Sequence, residues 1–214
     1  LIGLSMQKKV EVVRTDYQVI LSLDETVSLE QIVLHLLQDS LKYKLLTYLL
    51  EHQQASIVQL ATAFSISESS VFRKIKELNL LLKEFGIQIK NGQLYGEELQ
   101  VRYFYYELFQ FIPEEQRPLY LQNTPDKKTI ILGLENVLET SFSAFSTAQL
   151  ACWVGITKKR LVSEKTTFST LREKKKLYQE DRLYQAVDSI LILYLSRLAA
   201  DLSAYETLMF YSFF

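Results

Sequence analysis

The stretch "SIVQLATAFSISESSVFRKIKELNLLLKEFGIQIKNGQLYG", residues 56–96, decides how this chain is read. It opens on a short helical pattern, Ser56 to Phe64. A longer one, Ser67 to Phe85, closes on Gly86, a residue suited to the left-handed position after a helix. Ile87 and Ile89 then alternate with polar residues. Asn91-Gly92 follows, a strong hairpin signal because both residues tolerate positive φ. Helix, turn, helix, hairpin is therefore the expected order.

A helix-turn-helix makes chemical demands on its joint. A small residue must let the second helix approach, and an apolar residue must plug the turn. Ala61 and Ile66 supply these, with Leu60 and Phe64 on the inner face of the first helix. Ser65 stands where Gly is common. Val71, Ile75 and Leu78 continue the inner stripe at spacings of four and three. Ser67 is the natural N-cap. Ser69, Ser70, Phe72, Arg73 and Lys76 are left for the outer face or the leading end. Such a helix enters the major groove N-terminal end first. Arg73 is the candidate to read a guanine edge. Glu68 suits a cytosine amino group or simply the helix dipole. Ser69 and Ser70 suit a phosphate or a base edge. Lys74, Lys76, and Lys90 and Asn91 of the hairpin, are candidates for phosphate contacts.

Outward from this core, residues 10–24 hold β-branched residues in partial alternation, which predicts two short strands. "SLEQ" from Ser28 carries capping-box spacing to Gln31. Glu97–Ile112 is an aromatic-rich helical run stopped by Pro113. Helical patterns are expected at 114–122, 128–145 and 147–153, in a basic stretch near 157–176, and from 177 onward. Pro113, Pro118 and Pro125 mark the expected boundary between two halves.

Bulk composition narrows the class. The 214 residues are 48% hydrophobic and 23% charged, ordinary for a globular chain, and six Gly with three Pro favour long helices. A net charge of −1 excludes nucleic-acid binding by bulk charge alone, so any basic face must be local. The single Cys152 excludes an internal disulfide framework and a cysteine zinc site. No signal-peptide core or membrane-length apolar run is present, and a cytoplasmic location is expected. No Gly-rich phosphate loop, metal cluster or Ser–His–acid set stands out. The expectation is no enzyme, no cofactor and no metal. The chain lacks an initial Met and ends on an apolar "MFYSFF", so both ends read as cut.

Here the residues carry a family likeness. "SSVFRKIKELNLLLKEFGIQI" and "LYGEELQVRYFYYELF" resemble the central winged-helix segment of the Mga/AtxA family, transcriptional regulators of virulence genes in Gram-positive bacteria. The likeness rests on Ser69 to Ile75, on Leu78-Asn79, and on the junction of Gly96, Glu97, Arg102 and Phe104, and it covers about residues 27–112. It implies a mainly α protein: residues 1–26 as strands from the wing of a preceding winged helix, 27–112 as a winged helix-turn-helix with its linker helix, and 113–214 as a truncated helical regulatory domain like those of the phosphotransferase system (PRDs). It also implies double-stranded DNA as partner, activation of virulence or sugar-responsive genes, a homodimer, and phosphotransferase-system proteins acting through other regions. Such regulatory domains are phosphorylated on histidine. His35 and His52 both precede the second helix and none lies in 113–214, so this kind of control is not expected through that part.

Two further readings stay open. The Lys158–Lys176 stretch, "KKRLVSEKTTFSTLREKKK", holds eight basic and two acidic residues and suits either a solvated face or an auxiliary phosphate contact. "STAQLACWVGITKKRL" mimics a second helix-turn-helix, with Ala151 at the joint and Ile156 in the turn. Against DNA binding stand an oligomerisation or phospho-signal interaction module, using the aromatics of "RYFYYELFQF", and an RNA-binding antiterminator.

Overall fold

The computed structural model describes residues 10–161, 169–195 and 205–212. By contact density the chain forms two units, residues 1–47 and 48–214, with the division inside one helix. The chain is mainly α, as expected.

In the first unit, β1 (Val10–Arg14) and β2 (Val19–Leu23) pair antiparallel, with Val12 opposite Leu21. Ser28 caps α1 (Leu29–Asp39) through a complete capping box. Its hydroxyl accepts from the Gln31 amide at 3.2 Å, and its own amide donates to the Gln31 side chain at 3.1 Å. Val10, Val27 and Ile32 form the small core of this unit. Next, α2 (Leu41–His52) carries the chain across the division.

The second unit continues with α3 (Ile57–Phe64), α4 (Glu68–Leu82), a 3₁₀ turn at Lys83–Phe85, and the hairpin of β3 (Gln88–Lys90) and β4 (Gln93–Tyr95). After it come α5 (Glu98–Gln110), α6 (Pro125–Val137), α7 (Ala144–Arg160), α8 (Ser169–Tyr178), α9 (Arg182–Leu195) and α10 (Glu206–Tyr211). Ile130, Leu134, Leu150, Trp153, Val154, Val187, Leu191 and Phe210 form one apolar core, gathered from α6, α7, α9 and α10. Most aromatics of α5 are inside: Tyr105 and Phe109 are fully buried, and Tyr106 meets Trp153 edge-on at 5.9 Å. Tyr103 and Phe111 stay exposed.

Several helix boundaries differ from the expectation, each for a local reason. The pattern at 114–122 is two 3₁₀ turns, Glu114–Gln116 and Leu119–Leu121, because Pro113 and Pro118 hold extended backbone at the head of each. Pro125 opens α6 rather than lying outside it, and Glu139 (φ 49°) ends the run that was expected to reach 145. Ser143 then caps α7, accepting from the Ser146 amide at 3.0 Å. The second helix-turn-helix is absent: residues 144–160 form one unbroken helix, with Ala151 and Ile156 both buried. Gly155 sits mid-helix because a Cβ there would lie 2.1 Å from the Tyr120 carbonyl oxygen. Close packing explains this glycine. No turn is involved.

The basic stretch at 158–176 is divided too. Arg160 is buried and Lys158 pairs with Asp126 at 2.6 Å, while residues 162–168 lie outside the described part. Lys174 and Lys176 are exposed on α8.

Four buried charges tie α5 to the helical half. Arg102 is 1% exposed. Its Nε donates to Glu98 Oε1 at 2.9 Å, and its two terminal nitrogens hold both Glu206 oxygens at 2.6 and 2.8 Å. Arg160 of α7 binds Glu98 in the same two-pronged way, at 3.0 and 2.7 Å. Thr157 lies 3.4 Å from Arg102 Nη1, and Gln53, just after α2, lies 3.4 Å from Arg160 Nη1. Two guanidiniums and two carboxylates leave no net charge. Burial alone would push the Glu98 carboxyl up, but Arg102 and Arg160 outweigh it and hold it below the usual carboxylate value.

A depressed folded-state value means that the stabilising contribution is present above the unfolded carboxylate pKa and lost as pH falls through the folded one. Glu98→Gln should therefore lower stability by about 3–5 kcal/mol near neutrality, the cost of leaving buried charge uncompensated. The gap to the parent should narrow as pH drops below ~4. Urea midpoints across a pH series measure it; a gap independent of pH would show that Glu98 is not held ionised.

Candidate nucleic-acid interface

The joint between α3 and α4 follows from one left-handed residue. Ser65 has φ 53° and ψ 44°. Its amide reaches the Thr62 carbonyl at 3.2 Å, and the Ile66 amide reaches back to Ala61 at 3.0 Å. That pairing is a Schellman stop, in which glycine is usual and a serine bears a cost of about 1 kcal/mol. Gly86 repeats it at the end of the 3₁₀ turn, with φ 67° and the Ile87 amide on the Leu82 carbonyl at 3.2 Å. Ser56 starts α3 with a capping box to Gln59. Leu60 and Ala61 are buried, Phe64 meets Tyr48 edge-on at 5.7 Å, and Val71, Leu78 and Leu82 bury the inner face of α4. Ile66 and Ile75 are half-buried.

The hairpin is pinned on two sides. Asn91 (φ 51°) and Gly92 (φ 71°) form a two-residue turn closed by the Lys90–Gln93 pair. The next pair, Ile89 with Leu94, falls at a non-hydrogen-bonded position, so the Ile89 amide and carbonyl point away from β4. The Asn79 side chain on α4 takes both: its oxygen accepts from Ile89 N at 2.7 Å, and its nitrogen donates to Ile89 O at 3.0 Å. At the tip, the Ala55 amide donates to the Gly92 carbonyl at 3.0 Å and Gln93 reaches Gln54 at 2.8 Å. A Cβ on Gly92 would lie 1.8 Å from the Ala55 carbonyl oxygen, so this turn demands glycine for space as well as for φ.

The front of α4 is self-bonded. Ser67 is the N-cap and accepts from the Ser70 amide at 3.2 Å. The Ser69 and Ser70 hydroxyls each lie 2.9 Å from the Ser67 hydroxyl. Glu68 is exposed in the first turn, against the positive helix end. Ser69, Phe72, Arg73 and Lys76 share one exposed stripe at spacings of three and four. Phe72 is 59% exposed, and Leu80, at 70%, extends the same stripe by a turn. Arg73 and Lys76 make no ion pair among the described residues. Lys74 is turned aside, half-buried and paired with Glu77 at 3.0 Å. Lys90 and Asn91 are exposed at the hairpin end.

With this helix, turn, helix and hairpin in place, residues 25–109 match the family model for the Mga helix-turn-helix domain. Residues 25–109 are thus similar to an Mga helix-turn-helix domain. Domains of the Mga type belong to DNA-binding regulators of transcription. No curated protein matches the chain. Within the Mga segment, sequence reasoning missed Asn79, Ala55 and Leu80 as working parts. Asn79 was noted only for its likeness to the family, and its distance from Ile89 along the chain hid the contact. Among the described residues no group of histidine, cysteine and carboxylate side chains could hold a metal ion, and no helix is long and apolar enough to cross a membrane.

Asn79→Ala should free the hairpin from α4 without unfolding the core. It strands two backbone groups at about 1–3 kcal/mol each if they stay dry. Amide exchange at Ile89 should quicken while exchange at Leu78 holds; equal protection in variant and parent would mean that the side chain does not hold the hairpin.

Proposed function

We propose that this chain is a sequence-specific transcription regulator that lays the leading end of α4 in the major groove of duplex DNA and rests the β3–β4 wing on the backbone. The observation that carries the reading is the exposed Arg73 and Lys76, neither in an ion pair among the described residues, on a helix that α3 and the pinned wing hold in place. Arg73 projects from the second turn, where a guanidinium can bind a guanine edge with two hydrogen bonds. Lys76, Lys90 and Asn91 serve phosphates. Ser67, Ser69 and Ser70 keep one another company until a phosphate oxygen takes one of their hydroxyls. Glu68 limits how close a phosphate comes, or accepts from cytosine. Lys74, tied to Glu77, contributes only if that pair opens. Activation of virulence or sugar-responsive genes, a cytoplasmic location, a homodimer and phosphotransferase-system partners belong to the same reading and rest on the family resemblance, as does a PRD-like role for the helical half.

A second reading has its own support. Phe72 and Leu80 make the stripe partly apolar, which suits a protein contact as well as a thymine methyl.

The two readings separate in a salt series. Arg73→Ala should cost about 1–3 kcal/mol on a preferred duplex and little on random sequence. Lys76→Ala should weaken both alike and lower the slope of log affinity against log salt by about 1. If neither variant changes duplex binding while Phe72→Ala breaks a protein complex, the protein-contact reading stands instead.

A further inference from the structure

A cleft of about 540 Å³ lies far along the chain from α4, between the Leu119–Leu121 turn, the first turn of α6 and the last turns of α7. Its lining brings together Lys127, Lys158 and Lys159, with Asp126, Tyr120 and Leu119. Three ammonium groups face one carboxylate.

Lys127 is the odd member. It is 1% exposed, and it sits in the first turn of a helix, where the dipole disfavours a cation. Its Nζ donates to the Gln122 carbonyl, and it makes no ion pair among the described residues. An ammonium has three hydrogens to place. Lys158 is spoken for by Asp126, and Lys159 lies over the Tyr120 ring, 4.6 Å from its centroid. The Thr124 side chain makes no cap bond to the backbone, so the start of α6 is not closed by its own N-cap residue. Asp126 and Glu114 act on it only from beyond ion-pair distance, and buried positive charge without a paired anion costs stability unless something supplies one. The apolar faces of Leu119 and Tyr120 leave room for a carbon skeleton beside it.

We propose that this cleft binds a phosphate-bearing small molecule, with Lys127, Lys158 and Lys159 as the partners of its phosphate. Lys127 meets the anion from the inside, Lys159 from the rim, and Lys158 is shared with Asp126. None of the lining residues belongs to α4 or the β3–β4 hairpin, so the proposal does not rest on how α4 is used.

Proton exchange gives a separate signature. Burial brings Lys127 down to about 8. The groups facing it are Asp126 on its own helix, Lys158 and Cys152 on α7, and Glu114. A bound phosphate favours the charged ammonium, so binding near pH 8 takes up protons, and affinity falls as pH rises further.

The test is calorimetry on the full chain with glucose 6-phosphate, AMP and inorganic phosphate, and with glucose as the neutral control. The phosphate-bearing probes should bind and glucose should not. Lys159→Gln, a rim change that leaves the core alone, should weaken binding about tenfold. Lys127→Gln should weaken it at least as much and abolish the buffer-dependent proton uptake. Three results would each overturn the proposal: no phosphate probe binding at millimolar concentration, glucose binding equally well, or Lys159→Gln and Lys127→Gln both leaving affinity within about twofold of the parent. A fourth also overturns it: if random duplex DNA displaces the small probes from the parent but not from Lys159→Gln, the lysines are an auxiliary DNA contact and the small-molecule site is wrong.

Discussion

The second unit depends on the placement of one guanidinium. Arg102 points inward from α5, and its charge can be buried only if carboxylates meet it from the right directions. Glu98 does so from one turn earlier on the same helix, and Glu206 does so from α10, more than a hundred residues away. Glu98 in turn needs the second guanidinium, Arg160 of α7. Each member of the set would be costly alone, and together they are neutral. Apolar contacts between helices tolerate sliding. A pair of two-pronged charge contacts does not, because each prong has a direction as well as a distance. The network therefore fixes how α5, α7 and α10 stand together, and α5 leads directly out of the wing. Gln53, at the turn between α2 and α3, touches the same cluster through Arg160, so the helix-turn-helix is referred to this point from both of its ends.

At the joint between α3 and α4 the constraint is local and cheap. The Ser67, Ser69 and Ser70 hydroxyls satisfy the front of α4 from within. That makes the helix start stable without a partner, and it means that an incoming phosphate competes with a hydroxyl already in place. On the proposed reading a serine would give up one hydroxyl contact to gain a phosphate contact, so the net gain would be small and these serines would set position more than affinity. Affinity has to come from charge. Arg73 and Lys76 are the cations on this stripe without an ion pair among the described residues, whereas Lys74 is engaged with Glu77.

How much of this was legible in the sequence follows from the range of each interaction. The capping boxes at Ser28 and Ser56, the stop at Gly86 and the Asn91-Gly92 turn act over two to five residues, and local chemistry identifies them. The stripe of α4 is legible for the same reason, as periodicity is local. Ser65 could be flagged as an imperfect glycine because the Schellman stop imposes a known backbone angle. By contrast, Arg102 was noted only for its likeness to the family, and its spacing from Glu98 is the one local signal of its partners. Glu206 and Arg160 are remote, and nothing in a single chain announces that they converge. The helix-turn-helix pattern of Ala151 and Ile156 misled for a related reason. The segment is one helix, and the carbonyl of Tyr120 that requires glycine at 155 belongs to another part of the chain. The same holds for Asn79 and Ile89. Wherever a residue answers to a distant neighbour, local pattern gives the wrong cause or none.

One helix carries both of the features that local reading could not find. The last two turns of α7 hold Gly155, Lys158 and Lys159 toward the lysine-lined cleft, and Thr157 and Arg160 toward the buried charge network. Successive residues of a helix point about 100° apart, so a single turn can serve a cleft on one side and a network on the other. A ligand that drew Lys158 away from Asp126 would act on a segment whose neighbouring side chain, Arg160, neutralises Glu98. That network tolerates little displacement, for the directional reason given above, while the apolar core beside it tolerates more. The end of α7 therefore stands between the lysine-lined cleft and the charge network that reaches α5 and Gln53, the two flanks of the helix-turn-helix.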